Sequence, residues 1–245
     1  MAEEPRCQCD PACRRPPLPR SPFCRVHQRQ CTRKAPLSGS ERPYDPDRYN
    51  RYAGLKNSNN CYAYAMEYDE LPSHCTKEKC NAPFPQPGLS AGHKGWTSVK
   101  GKRCPDVMAR VMGDVPESYL ADFTQRCKKG MRKVAFVVDP KEDYHVYRQD
   151  APRKGDIIGY WSDKPGSTEV KQVDTSGRLI YDPQLAARHA PDSRLNYTHF
   201  CGYLCVPATK PKLTRSKGGK RKGRRTRRAH TDASHSVAHR VRKSS

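Results

Sequence analysis

The last 36 residues constrain the fold most, because they cannot take part in it. Lys210–Ser245 holds fourteen Lys/Arg, a single acid (Asp232) and no aromatic residue. Such a segment has almost nothing to bury and is expected to stay disordered when free. Residues 1–35 are also short of apolar side chains and crowded with Cys, Arg and Pro, whereas residues 36–209 hold nearly all the aromatics. The chain therefore reads as three regions: a Cys/His-rich element (1–35), a folded core (36–209) and a polybasic tail (210–245).

Charge points to the partners. The formal net charge is +22, of which the tail carries +13, leaving +9 on the rest. That imbalance favours nucleic acid or another polyanion. No run of eighteen apolar residues exists, and the opening MAEEPRCQCD is polar and acidic. Neither a membrane span nor a secretory leader is expected, and no membrane partner. Twelve cysteines without a leader suggest an intracellular or nuclear chain whose thiols hold metal more often than they form disulfides.

Within the core, Cys61–Glu70 is a helix candidate capped by Asn59 or Asn60. Pro105–Met112 and Pro116–Cys127 read as further helices, each opened by Pro. Leu71–Lys102 is rich in Pro and Gly and reads as a long loop. Arg132–Val138, Tyr144–Arg148 and Asp156–Trp161 have the β-branched and aromatic content of strands, and Arg178–Tyr181 and Gly202–Val206 add two short ones. Helices followed by strands imply an α+β class with a mostly antiparallel sheet.

Cys7, Cys9, Cys13, Cys24, His27 and Cys31 fall within 25 residues. Cys24-x2-His27 lets two ligands reach one ion across a tight turn, Cys13 lies upstream, and Cys7 or Cys9 supplies a fourth donor. Four S/N donors suit a structural Zn²⁺, which would order a segment with so little apolar surface. The ending Phe23-Cys24-Arg25-Val26-His27 resembles short zinc elements of giant DNA virus proteins, and the tail resembles C-termini frequent in the same proteins. A second set, His74, Cys75 and Cys80 with His93 or Cys104, has no distinctive spacing. Cys104, Cys127, Cys201 and Cys205 read as buried thiols.

Cys61 opens a predicted helix, a position that favours a thiolate. His145 lies on a predicted strand, and Asp163 follows on the next. A nucleophile, a base and an orienting carboxylate form the constellation needed for acyl transfer. The segment Cys61-Tyr62-Ala63-Tyr64-Ala65 resembles the C-x-x-Y-A signature of CHAP-type, papain-like cysteine–histidine hydrolases, although Tyr144 stands where those families commonly carry Gly before the histidine. The resemblance implies a papain-like core with Cys61 as nucleophile, His145 as base, and backbone near Cys61 in the oxyanion hole. It implies Asp163 as third member, with Asp150 or Asp182 as alternatives.

In the tail, Lys217, Lys220, Arg221, Lys222, Arg224, Arg225, Arg227 and Arg228 are spaced by glycines. They suit phosphate contacts without base specificity, since no aromatic residue is there to stack. Two functions compete. One is a thiol-dependent peptidase or amidohydrolase tethered to a polyanion. The other is a zinc-stabilised, nucleic-acid-binding structural protein, such as a virion component.

Overall fold

The computed structural model describes residues 5–96, 102–152, 159–189 and 193–215. Four short helices come first, α1 (His27–Gln30), α2 (Asp47–Asn50), α3 (Ala53–Ser58) and α4 (Cys61–Ala65), followed by the longer α5 (Cys104–Asp114). The strands are β1 (Tyr119–Ala121), β2 (Met131–Val138), β3 (Tyr144–Gln149), β4 (Trp161–Asp163) and β5 (His199–Pro207). They form one antiparallel sheet in the order β1-β5-β2-β3-β4. The class is α+β, as the sequence implies.

Strand alternation gives the sheet two apolar faces. Val134, Phe136, Val138, Leu204 and Val206 face one cluster, closed by Tyr62 and Ala65 of α4 and by Val107 and Val111 of α5. Ala135, Val137, Tyr147, Trp161 and Tyr203 face the other, which is closed by Cys7, Cys9, Phe23 and Cys24. These residues of the N-terminal segment therefore help to cover the second face. Gln8 locks them there: its Oε1 accepts the backbone N–H groups of Tyr181 (2.6 Å) and Asp182 (3.0 Å).

The ends of two elements differ from the sequence reading. α4 stops at Ala65 instead of running on to Glu70. Glu67 adopts φ +56° and is drawn into a buried ion network, 3.0 Å from Arg132 Nη1 and 3.0 Å from Arg42 Nε. Pro116–Cys127 is not a helix; its middle is β1, which hydrogen-bonds the otherwise open edge of β5, while Cys127 is bonded to Cys205. Of the expected strand Asp156–Trp161, residues 156–158 lie outside those described, and β4 begins at Trp161. Arg178–Tyr181 contributes only isolated bridges, Ile180 to Trp161 and Leu179 to Val173.

The thiol expectation also changes. Eight cysteines form the disulfides Cys9–Cys31, Cys75–Cys80, Cys104–Cys201 and Cys127–Cys205, with Cα–Cα separations of 4.9 to 5.6 Å. Sequence spacing hides these pairs because the fold supplies the partners. A register shift in the β2–β5 ladder lies between Phe136, which pairs with Gly202, and Val137, which pairs with Phe200. Cys201 is left unpaired in the ladder and bonds Cys104 at the start of α5. The two bridges spanning 97 and 78 residues each stabilise the fold by on the order of 4 kcal/mol through the unfolded chain.

The fold also runs past the expected boundary at 210. Leu213 is buried in the first cluster, and Arg215 bonds the loops around Asn59 and Pro83. The tail cations Lys217 to Arg228 lie outside the described residues. Among the described residues, no helix is long and apolar enough to cross a membrane.

Candidate active site and metal centre

The sheet register brings His145 to Asp163. Asp163 pairs with Tyr147 across β3 and β4, so it shares a face with His145 two residues away. His145 Nε2 lies 2.8 Å from Asp163 Oδ2. The alternatives are engaged elsewhere: Asp150 bonds Arg148 (2.8 Å) and Gln172 (3.0 Å), and Asp182 bonds Arg33 and Tyr203. Of the three carboxylates, Asp163 is the one that reaches the imidazole.

Cys61 arrives from the other side, on the first residue of α4. Asn60 fixes this helix end: its Oδ1 accepts the Ala63 N–H (3.1 Å), and its Nδ2 donates to Pro85 O and to the Tyr144 hydroxyl (both 3.0 Å). Cys61 Sγ lies 4.0 Å from Tyr144 O, the carbonyl of the residue before His145, and lines the same cavity as His145. Burial disfavours a charged ring, yet the nearby Cys61 and the Asp163 hydrogen bond lift His145 to about 10. The raised value favours the imidazolium form of the ring. Both side chains are almost wholly enclosed, Cys61 at 5% and His145 at 2% exposure.

Two cavities meet at His145. One, of about 300 Å³, holds Cys61 and is walled by aromatic side chains. The other, of about 170 Å³, lies on the Asp163 side and is lined by Lys171, Asp174 and Arg188. His145, Leu195 and Tyr197 line both.

The second constellation lies within the N-terminal segment. The Sγ atoms of Cys7, Cys13 and Cys24 and a ring nitrogen of His27 all lie within 4.8 Å of one another. Cys7 Sγ is 3.2 Å and Cys24 Sγ 3.6 Å from His27 Nδ1, and the Cys13 and Cys24 sulfurs are 4.0 Å apart. These four residues can hold a metal ion. Cys9 is a correction to the expected ligand set, because its sulfur is bonded to Cys31. Cys7 fills the place instead, where the Cys24 N–H donates to its sulfur at 3.3 Å. Burial pushes the Cys7 thiol up to about 11. For Cys24, burial also opposes the thiolate, but the His27 and Val26 backbone N–H groups outweigh it and lower the pKa. The looser set around His74 is not a metal site: Cys75 and Cys80 pair with each other, and Cys104 with Cys201.

No family model and no solved structure matches the chain. Insoluble matrix shell protein 1 of Ruditapes philippinarum is 33% identical over 164 residues, a match covering 66% of this chain and 88% of that protein. The chain belongs to the insoluble matrix shell protein 1 family.

In this member of the insoluble matrix shell protein 1 family, two supporting groups gave no signal in the sequence. Lys164, next to Asp163, is fully buried and donates to Lys56 O (2.6 Å), Asn59 O (2.6 Å) and Gly166 O (2.7 Å). It ties the turn before Cys61 to the segment after β4. Burial pushes its ammonium down to about 7, against the opposing charge of Cys61. The network of Glu67, Arg132, Arg148 and Asp150 performs a similar task at the other end of α4, where Arg132 Nη2 donates to Ala65 O at 3.0 Å. Isolated charged residues in strands carry no spacing that would reveal such partners.

Proposed function

We propose that this chain is a thiol-dependent hydrolase of peptide or amide bonds, with Cys61 as nucleophile, His145 as acid and base, and Asp163 as the group that orients the ring. The observation carrying this reading is the convergence of three residues, 84 and 18 positions apart along the chain, on one enclosed point. The 2.8 Å bond from His145 to Asp163 faces a cysteine that opens a capped helix. A helix that presents cysteine against an antiparallel sheet bearing histidine and aspartate is also the basis for a papain-like assignment of the core.

The chemistry follows from the pairing. The Cys61 thiolate attacks the carbonyl carbon, forming an S–C bond as the carbonyl electrons move onto oxygen. On collapse the C–N bond breaks, and the imidazolium gives its proton to the leaving amine. Water then attacks the thioester while His145 takes its proton, releasing the acid and restoring the thiol pair. Asp163 keeps the ring in the orientation that serves both steps. A quenched-fluorescence peptide library tests this directly. Turnover in the wild type that disappears in both Cys61→Ser and His145→Ala is expected; turnover surviving Cys61→Ser would overturn it.

The N-terminal cluster is read as a structural Zn²⁺ site. The Cys7–His27, Cys24–His27 and Cys13–Cys24 donor distances of 3.2, 3.6 and 4.0 Å are close to the edges of a tetrahedron with bonds of about 2.0 to 2.3 Å, and all four donors lie within 4.8 Å of one another. With four protein donors no position is open, so the ion would brace the second face of the sheet. The polybasic tail would tether the protein to nucleic acid or another polyanion.

A second reading is a non-catalytic matrix component. The shell-matrix relative favours it, and so do four disulfides, which persist in oxidising surroundings. The library assay separates the two, because a purely structural protein gives no Cys61-dependent turnover.

A further inference from the structure

The cavity beside Cys61 has an unusual wall for so basic a chain. Four of its lining residues are aromatic, Phe84, Trp96, Tyr144 and Tyr197, and two are acidic, Glu142 and Asp143. No Lys or Arg lines it among the described residues, on a protein whose net charge is +22. Aromatic faces and carboxylates together form a favourable setting for an organic cation, whose charge meets the acids while its methylenes lie on the rings. Trp96 already attracts cations: Lys102 Nζ lies 5.9 Å and Arg110 Cζ 5.7 Å from its ring centroid, although neither lines the cavity. Lys102 also lies close enough to favour the Asp143 carboxylate, without offsetting the desolvation that raises its pKa.

We propose that this cavity is the specificity subsite of the thiol hydrolase and takes a Lys or Arg side chain next to the scissile bond. The proposal rests on the triad reading above and adds the substrate class, a cationic peptide. One source of such a peptide is the chain itself. Arg215 Nη2 bonds Asn59 Oδ1 at 3.2 Å, its Nη1 bonds Pro83 O at 3.1 Å, and its backbone pairs with Pro85. These are the same loops that hold Asn60 and Cys61. Arg215, the last described residue, thus lies against the loops that hold the nucleophile, and Lys217 follows two residues later in the sequence.

The test uses the full chain and peptidyl coumarin amides that differ only in Arg, Lys, norleucine or Glu before the amide. Expected is a kcat/KM for Arg and Lys at least tenfold above norleucine, with Glu poorest. Glu142→Gln, at an exposed position where folding is not at risk, should cut the Arg-to-norleucine ratio at least threefold. Asp143→Asn should cut it further. Labelling of Cys61 by iodoacetamide, a small neutral electrophile, is measured in parallel. A fast-labelling Cys61 with equal rates on Arg and norleucine overturns the subsite while leaving the triad; an inert Cys61 overturns both. Intact mass distinguishes the sources. Loss of tail residues in wild type but not in Cys61→Ser makes the tail a substrate in cis, whereas an intact tail alongside cleavage of added Arg peptides places the source on another chain.

Discussion

The protein contains two constellations of cysteine and histidine, one within the N-terminal segment and one assembled from α4, β3 and β4, and their settings differ. In the N-terminal cluster, three sulfurs and His27 converge with no carboxylate among them. At the other site a single sulfur meets an imidazole whose far nitrogen is held by Asp163. Residue type is shared, and the neighbours decide the chemistry. Several sulfurs around one point make a cation cage, whereas one sulfur against an oriented imidazole makes a nucleophile. The first set spans 21 residues of a segment with few apolar side chains. The second spans 103 residues and exists only once the sheet has formed.

The sharpest way to break this contrast is to remove one member of each site. Cys24→Ser, or chelation of the wild type, should abolish metal binding and remove a folding contribution of about 10 kcal/mol. The cooperative melt should be lost or shifted down by more than 10 °C, while Cys61→Ser retains both metal content and melt. Equal melts for Cys24→Ser and wild type would deny the cluster its bracing role. Next in size, Arg132→Met removes the buried partner of Glu67 Oε1 while Arg42 still holds Oε2, and should cost about 3 kcal/mol, read from urea midpoints.

The pH dependence comes third. His145 sits at about 10 in the fold against about 6.5 unfolded. Its stabilising contribution is therefore complete below pH 6.5 and is lost as pH rises through 10. His145→Gln should flatten that part of the stability profile, measured by urea unfolding between pH 6 and 10. Smallest, Lys164→Met should slow Cys61 alkylation about three- to tenfold with circular dichroism unchanged, by loosening the Asn59 turn and removing a nearby positive charge. An unchanged rate would leave Lys164 with no part in the nucleophile's setting.

What could be read from the sequence followed from locality. β2, β3 and α5 are visible in their own residues, and Asn60 caps α4 as its type suggests. Cys61, His145 and Asp163 were each legible as candidates from their local settings, whereas the approach of Asp163 to His145 is a property of the sheet. Other features depended on distant partners. Nothing near Cys9 distinguishes it from Cys7, since the choice is made by Cys31 and by the Cys24 N–H. The helical look of Pro116–Cys127 gives way to the open edge of β5 and to Cys205. Glu67 leaves the helix for Arg132, 65 positions away. Lys164 draws its meaning from carbonyls more than a hundred residues upstream.

The central claim is that Cys61 is activated by His145 and Asp163. The direct measurement is the rate of iodoacetamide alkylation of each free thiol against pH, followed by peptide mass mapping in wild type, His145→Ala and Asp163→Asn. The account predicts that Cys61 reacts at least tenfold faster than Cys7, Cys13 or Cys24 at pH 7. It also predicts that the advantage disappears in His145→Ala, whose rate climbs only through the ordinary thiol range, with Asp163→Asn between the two. A Cys61 that reacts slowly at pH 7 in the wild type, or equally fast without His145, would contradict it.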